Sequence, residues 1–129
     1  LRHEISGQTY AHPMEVEENT DYLLLLFSHW RVTADASVME RHWDLVHDLL
    51  AFLADADRSG NGFPEVGTAN TIDDASPAVQ FSRQQTYLAV KTASACQAAA
   101  VMAAHLDDEE LKAQCDDLVQ RLDRMAGRA

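Results

Sequence analysis

Basic residues are scarce in this chain of 129 residues. Lysine and arginine together number 10, against 21 aspartates and glutamates, and the net charge is −11. A protein that binds a nucleic acid backbone needs a basic patch, so we expect no nucleic acid partner. The charge suits a protein that handles neutral or cationic ligands.

Long apolar runs are also missing. The run from Tyr22 to Phe27 is far too short to span a bilayer, and no signal peptide is visible. We therefore expect no membrane partner and a cytoplasmic location. There are only two cysteines, Cys96 and Cys115, and both lie within helical patterns. They are predicted to be small buried residues rather than a disulfide.

Several common catalytic and cofactor patterns are absent as well. The closest pair of histidines, His42 and His47, are five residues apart, and the chain has no HExxH motif for zinc. It has no glycine-rich phosphate loop, and no Ser-His-Asp or Cys-His arrangement can be identified. We therefore predict no cofactor.

The composition, 47% hydrophobic and 24% charged, indicates one globular domain. We expect a loop or extended arm over residues 1–16 and a helical domain over 17–126, with a long acidic loop at 54–76. No segment has the alternation of a half-buried strand. Four helices are predicted: Glu17 to Val32, Ser37 to about Leu53 with a Ser37/Glu40 capping box, Pro77 to about His105, and a last helix capped by Asp107 that ends near Met125.

The four helices are of two kinds. The second and fourth each have a single apolar stripe, which predicts burial on one side only. The first and third are apolar nearly all round, which predicts cover on several sides. The stripe residues are Met39, Trp43, Val46, Leu50 and Leu53 in the second helix, and Leu111, Cys115, Leu118, Leu122 and Met125 in the fourth.

This alternation predicts an all-α fold of two helical hairpins of the (α/α)-toroid type, with apolar inner and amphipathic outer helices. A closed ring needs about six hairpins, on the order of 300 residues. The chain is therefore expected either to be part of a ring or to form a homo-oligomer that covers its inner helices.

Two groups of carboxylates are candidate catalytic residues. Asp73 and Asp74 end the acidic loop just before Ser76 and Pro77, a typical helix start. Glu15 and Glu17 precede the first inner helix, and would face Asp73 if the two inner helices are parallel neighbours. Carboxylates across a cleft suit glycoside hydrolysis, at about 5–5.5 Å for retention or about 6.5–9.5 Å for inversion. The alternative is helix capping and dipole compensation.

The loop also contains a weak calcium candidate, Asp55, Asp57, Ser59 and Asn61. Oxygen-bearing residues at alternate positions resemble the start of a calcium loop, although the twelfth position is Val66 rather than a glutamate. The alternative interpretation is a polar turn, and we predict no metal.

The stretch Thr71-Ile-Asp-Asp, followed by Gln84-Gln-Thr-Tyr-Leu-Ala-Val-Lys, resembles the (α/α)6 catalytic domain of family 52 β-xylosidases. The pattern Asp-x-Asp-x-x-Gly-Asn-Gly-x-Pro-Glu before Thr-x-Asp is similar to family 116 β-glucosidases. The resemblance covers roughly residues 12–125. It implies an acid/base role for Asp73, but Ile72 replaces the family's tyrosine. The family's nucleophilic glutamate lies upstream of the matched hairpins and cannot be assigned here.

The resemblance implies a hydrolase of carbohydrate metabolism, a glycosidase acting on β-linked glucosides or xylosides. The chain is then a fragment with half of the chemistry, or Glu15, Glu17 or a second chain supplies the other carboxylate. Expected substrate contacts are Asn70, Thr71, Arg83 and Gln84. The alternative is a non-catalytic helical interaction module with toroid ancestry, which would leave Asp73 as a helix cap.

Overall fold

The computed structural model of the chain describes residues 2–5, 8–11, 15–65 and 86–126. Within these ranges the elements are two short strands followed by five helices. They are β1 (Arg2–Ile5), β2 (Gln8–Ala11), α1 (Glu15–Thr33), α2 (Ser37–Arg41), α3 (Trp43–Ala56), α4 (Thr86–His105) and α5 (Glu109–Ala126).

The helices form two hairpins in two layers, which confirms the all-α, helical-hairpin class. α1 pairs with α2 and α3, α4 pairs with α5, and α4 also packs along α1. Glu17 near the start of α1 contacts Lys91 near the start of α4, and Trp30 near the end of α1 lies over His105, with ring centroids 4.8 Å apart. The two inner helices are therefore parallel neighbours.

The outer helices bury most of the predicted stripe residues, while Trp43 and Met125 are half-buried. In α2 and α3 the residues Met39, Val46, Leu50 and Leu53 are each at most 1% exposed. Leu111, Cys115, Leu118 and Leu122 are buried in the same way along α5. Because these side chains recur every three or four residues, each outer helix presents one continuous apolar face to the inner layer.

The inner helices contribute the other half of the core but remain partly open. Leu23, Leu88 and Met102 are fully buried between the layers. On the opposite face Val32 is 85% exposed and Val90 is 60% exposed. Within the described residues, each inner helix is therefore covered by the outer layer and by the other inner helix, while its remaining side is exposed.

The predicted second helix is interrupted, and its predicted cap is wrong. Ser37 makes no capping bond and lies inside α2, while the side chain of Asp35 accepts a hydrogen bond from the Ser37 N–H at 2.9 Å. At His42 the backbone leaves the helical region (φ −109°, ψ 17°), which separates α2 from α3. The hydrogen bond at this helix start is therefore made by Asp35, two residues before Ser37. The left-handed backbone of Ala34, which directly follows α1, redirects the chain at this point.

The predicted cap of the last helix is displaced by one residue. Asp107 has φ 58°, and it ends α4 in a Schellman motif, with the N–H of Asp108 bonded to the carbonyl of Ala103 at 2.8 Å. Asp108 is the N-cap of α5, since its carboxylate accepts a bond from the Leu111 N–H at 3.0 Å. In this short connection Asp107 ends one helix and Asp108 begins the next.

The N-terminal arm is extended but pairs with itself, which the sequence reading did not predict. β1 and β2 are antiparallel, with Ile5 opposite Gln8. Four-residue strands are too short to reveal an alternation, and the only signal is the Ser6-Gly7 dipeptide between them, which is typical of turns.

None of the helices in the described ranges combines the length and the apolar character needed to cross a bilayer.

Candidate functional site

A buried carboxylate connects the two inner helices near their N-terminal ends. Glu17 of α1 is 2% exposed, and its Oε1 accepts hydrogen bonds from the Tyr87 hydroxyl at 2.9 Å and from Lys91 Nζ at 2.6 Å. Lys91 also forms an ion pair with Asp21. We call these four residues the Lys91 site.

Helical spacing brings the four side chains together. Glu17 and Asp21 are four residues apart on α1, and Tyr87 and Lys91 are four residues apart on α4, so each pair lies on one face of its helix. Because α1 and α4 are parallel, both pairs meet at the same end of the hairpin stack. The site contains two carboxylates and one ammonium group.

Lys91 is held in its charged form. Burial of its side chain opposes the charge, but the hydrogen bonds from Lys91 to Asp21 and Glu17 outweigh this effect and raise the pKa of Lys91 above its ordinary value. The amine therefore stays protonated at neutral pH. It can bind an anion, but it cannot act as a nucleophile or a base.

Tyr87 is held in its neutral form. Burial, followed by its hydrogen bond to Glu17, raises the pKa of the Tyr87 hydroxyl. The hydroxyl therefore keeps its proton and remains a hydrogen-bond donor beside the ammonium group of Lys91.

An open groove of about 510 Å³ begins at the Lys91 site. Tyr87 and Lys91 form its polar end, and Leu24, Val90 and Ser94 are among the residues that line the rest. Glu17 and Asp21 do not line the groove, and both contact the ammonium group of Lys91. A molecule in this groove would meet the cation and the hydroxyl first.

The structure brings one of the four predicted catalytic carboxylates, Glu17, into this site. Glu15 is half-buried, and its Oε2 has no hydrogen-bond partner within the described ranges. The remaining predictions lie outside the described residues: Asp73, Asp74, Asn70, Thr71, Arg83 and Gln84.

Sequence reasoning missed Asp21, Tyr87 and Lys91. The matching i,i+4 spacings could have indicated them, because Lys91 is the only Lys, Arg, Asp or Glu within α4. A single cation on an otherwise uncharged helix requires an anionic partner if it is buried.

The calcium candidate is a turn held by hydrogen bonds. The Asp57 side chain is fully buried and accepts bonds from the N–H groups of Asn61 (3.0 Å) and Gly62 (2.8 Å) and from Arg121 of α5 (3.0 Å). Ser59 donates to the carboxylate of Glu65. In the part of the chain that the structure describes, no three His, Cys, Asp or Glu side chains are grouped to hold a metal ion.

Two further clusters support the outer layer. Asp108 accepts a bond from the Trp43 indole N–H at 2.8 Å and contacts His47 at 2.6 Å. The bonds from Trp43 and from the Leu111 N–H lower the pKa of Asp108.

Cys96 and Cys115 are buried free thiols, as predicted. A hydrogen bond between them, together with burial, raises the pKa of Cys96, so this thiol is unreactive.

A family profile matches this chain. The sequence profile described as the glutaminase A six helical-hairpin domain matches residues 4–128. No curated protein and no solved structure matches the chain. The match agrees with the observed helical hairpins, which the resemblance to (α/α)6 domains also implied. Because it extends over nearly the whole sequence, the chain belongs to the glutaminase A six helical-hairpin domain family.

Proposed function

We propose that this chain acts in the hydrolysis of the side-chain amide of glutamine, and that the Lys91 site binds the substrate. The reaction is suggested by the description of the family to which the chain belongs. One observation carries the proposal: a protonated lysine and a neutral tyrosine hydroxyl line a groove beside a half-exposed aspartate.

The charges of this site are complementary to a free amino acid. Lys91 offers a donor for the α-carboxylate of glutamine. The Tyr87 oxygen, whose proton is donated to Glu17, and Asp21, whose side chain is 48% exposed, can accept from the α-ammonium. Two of the three N–H groups of Lys91 are used by Glu17 and Asp21. The contact to the Tyr87 oxygen is long, at 3.5 Å, so the third N–H can turn toward a substrate.

Glu17 is assigned a positioning role. Its carboxylate is buried and already accepts bonds from Tyr87 and Lys91, so it fixes both donors rather than reaching the reacting atoms. Removing Glu17 would release the two side chains that line the groove.

The hydrolytic step needs a general base. Water must attack the carboxamide carbon, give up a proton to a base, and displace ammonia, which leaves with a proton. We assign the base to Asp73 or Asp74, which precede α4 in the sequence. Both were the acid/base candidates of the sequence reading.

The second candidate is the hydrolysis of β-linked glucosides or xylosides. It is favoured by the two carboxylates, Glu17 and Asp21, that meet beside α4, because glycosidases use a pair of acidic residues. A neutral sugar has no group that would select the charges of Lys91, which is why we rank this function second.

The test is to assay the purified chain with L-glutamine, following ammonia release, and with 4-nitrophenyl β-glucoside and β-xyloside. We expect glutamine turnover that is abolished in Asp73→Asn or Asp74→Asn. Lys91→Met should raise KM for glutamine by roughly tenfold or more with a smaller effect on kcat, since it removes a substrate contact. Lys112→Met is the matched control, because Lys112 forms an exposed ion pair with Asp116 on the surface of α5.

Three results would contradict the proposal in different ways. Turnover of a β-glycoside without turnover of glutamine would support the second candidate. Equal KM values for glutamine in Lys91→Met and Lys112→Met would show that the Lys91 site does not bind the substrate. A folded chain that hydrolyses none of the substrates would support the non-catalytic helical module.

A further inference from the structure

The groove of the Lys91 site is charged at one end only. Lys91 and Tyr87 form that polar end. Val90, one of the lining residues next to it, is 60% exposed, so its side chain is accessible to a molecule in the groove. Beyond the polar end, the described lining carries no charge and consists of Leu24, Thr86, Val90 and Ser94. A bound molecule would therefore meet a charged head position with a largely apolar wall beside it.

The charged end is complementary to a molecule that carries both an anion and a cation. The two carboxylates of Glu17 and Asp21 outnumber the single ammonium group of Lys91, so a purely anionic ligand would meet an excess of negative charge. A zwitterion can place its carboxylate at Lys91 and its ammonium group at Asp21, whose side chain is 48% exposed. This is the head group that all free α-amino acids share with glutamine.

The wall beside this head position suits an apolar side chain better than a carboxamide. A carboxamide that packs against Leu24 and Val90 loses its hydrogen bonds to water, and the side-chain hydroxyls of Thr86 and Ser94 are the replacements in the described lining. A hydrocarbon side chain has no such bonds to lose. Each methylene group that it removes from water strengthens binding by about fourfold. The groove volume of about 510 Å³ also accommodates a branched or aromatic side chain.

We propose that the Lys91 site binds large apolar α-amino acids, aliphatic or aromatic, and that these compete there with glutamine. The α-carboxylate contacts Lys91, the α-ammonium contacts Asp21 and the oxygen of Tyr87, and the side chain lies along Leu24 and Val90. The inference rests on the head-group contacts of the proposed function and adds the class of side chain that the groove favours. It does not require that the chain hydrolyse glutamine.

The test is calorimetric titration of the purified chain with L-leucine, L-phenylalanine and glycine, in the absence of glutamine. We expect both larger amino acids to bind at least about tenfold more tightly than glycine, which has no side chain to bury. L-Leucinamide lacks the α-carboxylate, and N-acetyl-L-leucine lacks the α-ammonium. Each should bind about tenfold or more weakly than L-leucine, because each loses one charged contact.

The variant Val90→Asn tests the apolar wall without changing the charge of the site. Val90 is exposed on α4, so the variant should remain folded, which circular dichroism checks. The substitution puts an amide beside the bound hydrocarbon and should weaken binding of L-leucine by about fivefold or more. Val32→Asn is the matched control, because Val32 is an exposed valine of α1 that lies outside the groove.

Several results would overturn the inference. They are equal binding of glycine and the larger amino acids, equal binding of L-leucine and its two derivatives, and equal effects of Val90→Asn and Val32→Asn. Glutamine turnover that L-leucine does not inhibit would also overturn the inference, but would leave the proposed function intact. Binding of L-leucine that depends on Val90, in a chain that releases no ammonia from glutamine, would support the inference and contradict the proposed function.

Discussion

Lys91 illustrates how much a single residue decides in this protein. Its ammonium group neutralises Glu17, which is buried, and Asp21, which is half-exposed. Because the pKa of Lys91 is raised, its stabilising contribution is complete below the unfolded value of about 10.4. The contribution is lost only as the pH rises through the still higher folded value.

Replacing Lys91 with methionine should therefore destabilise the fold by about 3 kcal/mol at neutral pH, because it removes the cation that pairs with the buried Glu17 carboxylate. Urea unfolding measures the loss. Lys112→Met removes an exposed ion pair and should cost less than about 0.5 kcal/mol. Adding Glu17→Gln to Lys91→Met should recover part of the stability. Equal losses of stability in Lys91→Met and Lys112→Met would contradict the assignment of Lys91 as the cation that pairs with the buried Glu17.

Gly62 is a second position where one residue decides the local structure. Its φ is +88°, and an added Cβ would lie 2.7 Å from Leu122 Cγ and 2.8 Å from the backbone nitrogen of Leu122. Gly60 has a similar φ of +76°, but nothing lies within 4 Å of its added Cβ. Alanine substitutions at the two glycines therefore distinguish the cost of backbone strain from the cost of steric collision.

Gly60→Ala should cost about 1 kcal/mol, from strain alone. Gly62→Ala should cost about 3 kcal/mol or more, since the backbone of α5 must also move. The free energy of unfolding of each variant provides the comparison. Similar costs at both positions would mean that the turn does not pack against α5 as described.

At the scale of elements, helix ends determine how the hairpins are connected. α1 is followed directly by Ala34, which has φ 56° and whose N–H donates to the carbonyl of Trp30 at 2.8 Å. This is the left-handed position that glycine normally occupies after a helix. Alanine there is strained.

Ala34→Gly should consequently stabilise the protein by about 1 kcal/mol, because it relieves the left-handed strain. The same substitution at Ala51, an exposed position inside α3, should destabilise it by about 1 kcal/mol. Thermal unfolding of the two variants should shift in opposite directions. Shifts of the same sign would rule out a left-handed helix end at Ala34.

At the scale of the whole molecule, the excess of acidic residues works against compactness. A net charge of −11 on 129 residues means that surface repulsion opposes folding, while the buried Lys91 pair is largely shielded from salt.

Raising sodium chloride should therefore increase the urea midpoint of unfolding. The increase should be smaller in a variant in which three exposed acids are neutralised, Glu40→Gln, Asp48→Asn and Glu110→Gln, because less repulsion remains to be screened. Salt that lowers the midpoint would indicate that exposed ion pairs outweigh the repulsion.

The helices and their buried faces could be predicted because they depend on local spacing. The stripes from Met39 to Leu53 and from Leu111 to Leu122 are periodic in the sequence and buried in the structure. Helix ends were less predictable: Ser37 has the composition of a cap, yet Asp35 makes the bond. Caps depend on the path of the preceding loop, which local composition does not determine.

By itself, the sequence determined the all-α class, the inner and outer helices, the buried cysteines and the acidic surface, since each depends on composition or on helical periodicity. The tertiary structure decided that Glu17, rather than its neighbour Glu15, is the buried carboxylate of the pair. It also decided that Asp57 organises a turn, and that α4 leaves an uncharged face open. These features arise from partners such as Lys91 and Arg121, which lie more than sixty residues away in the chain. Only the packing of parallel helices brings such partners within bonding distance.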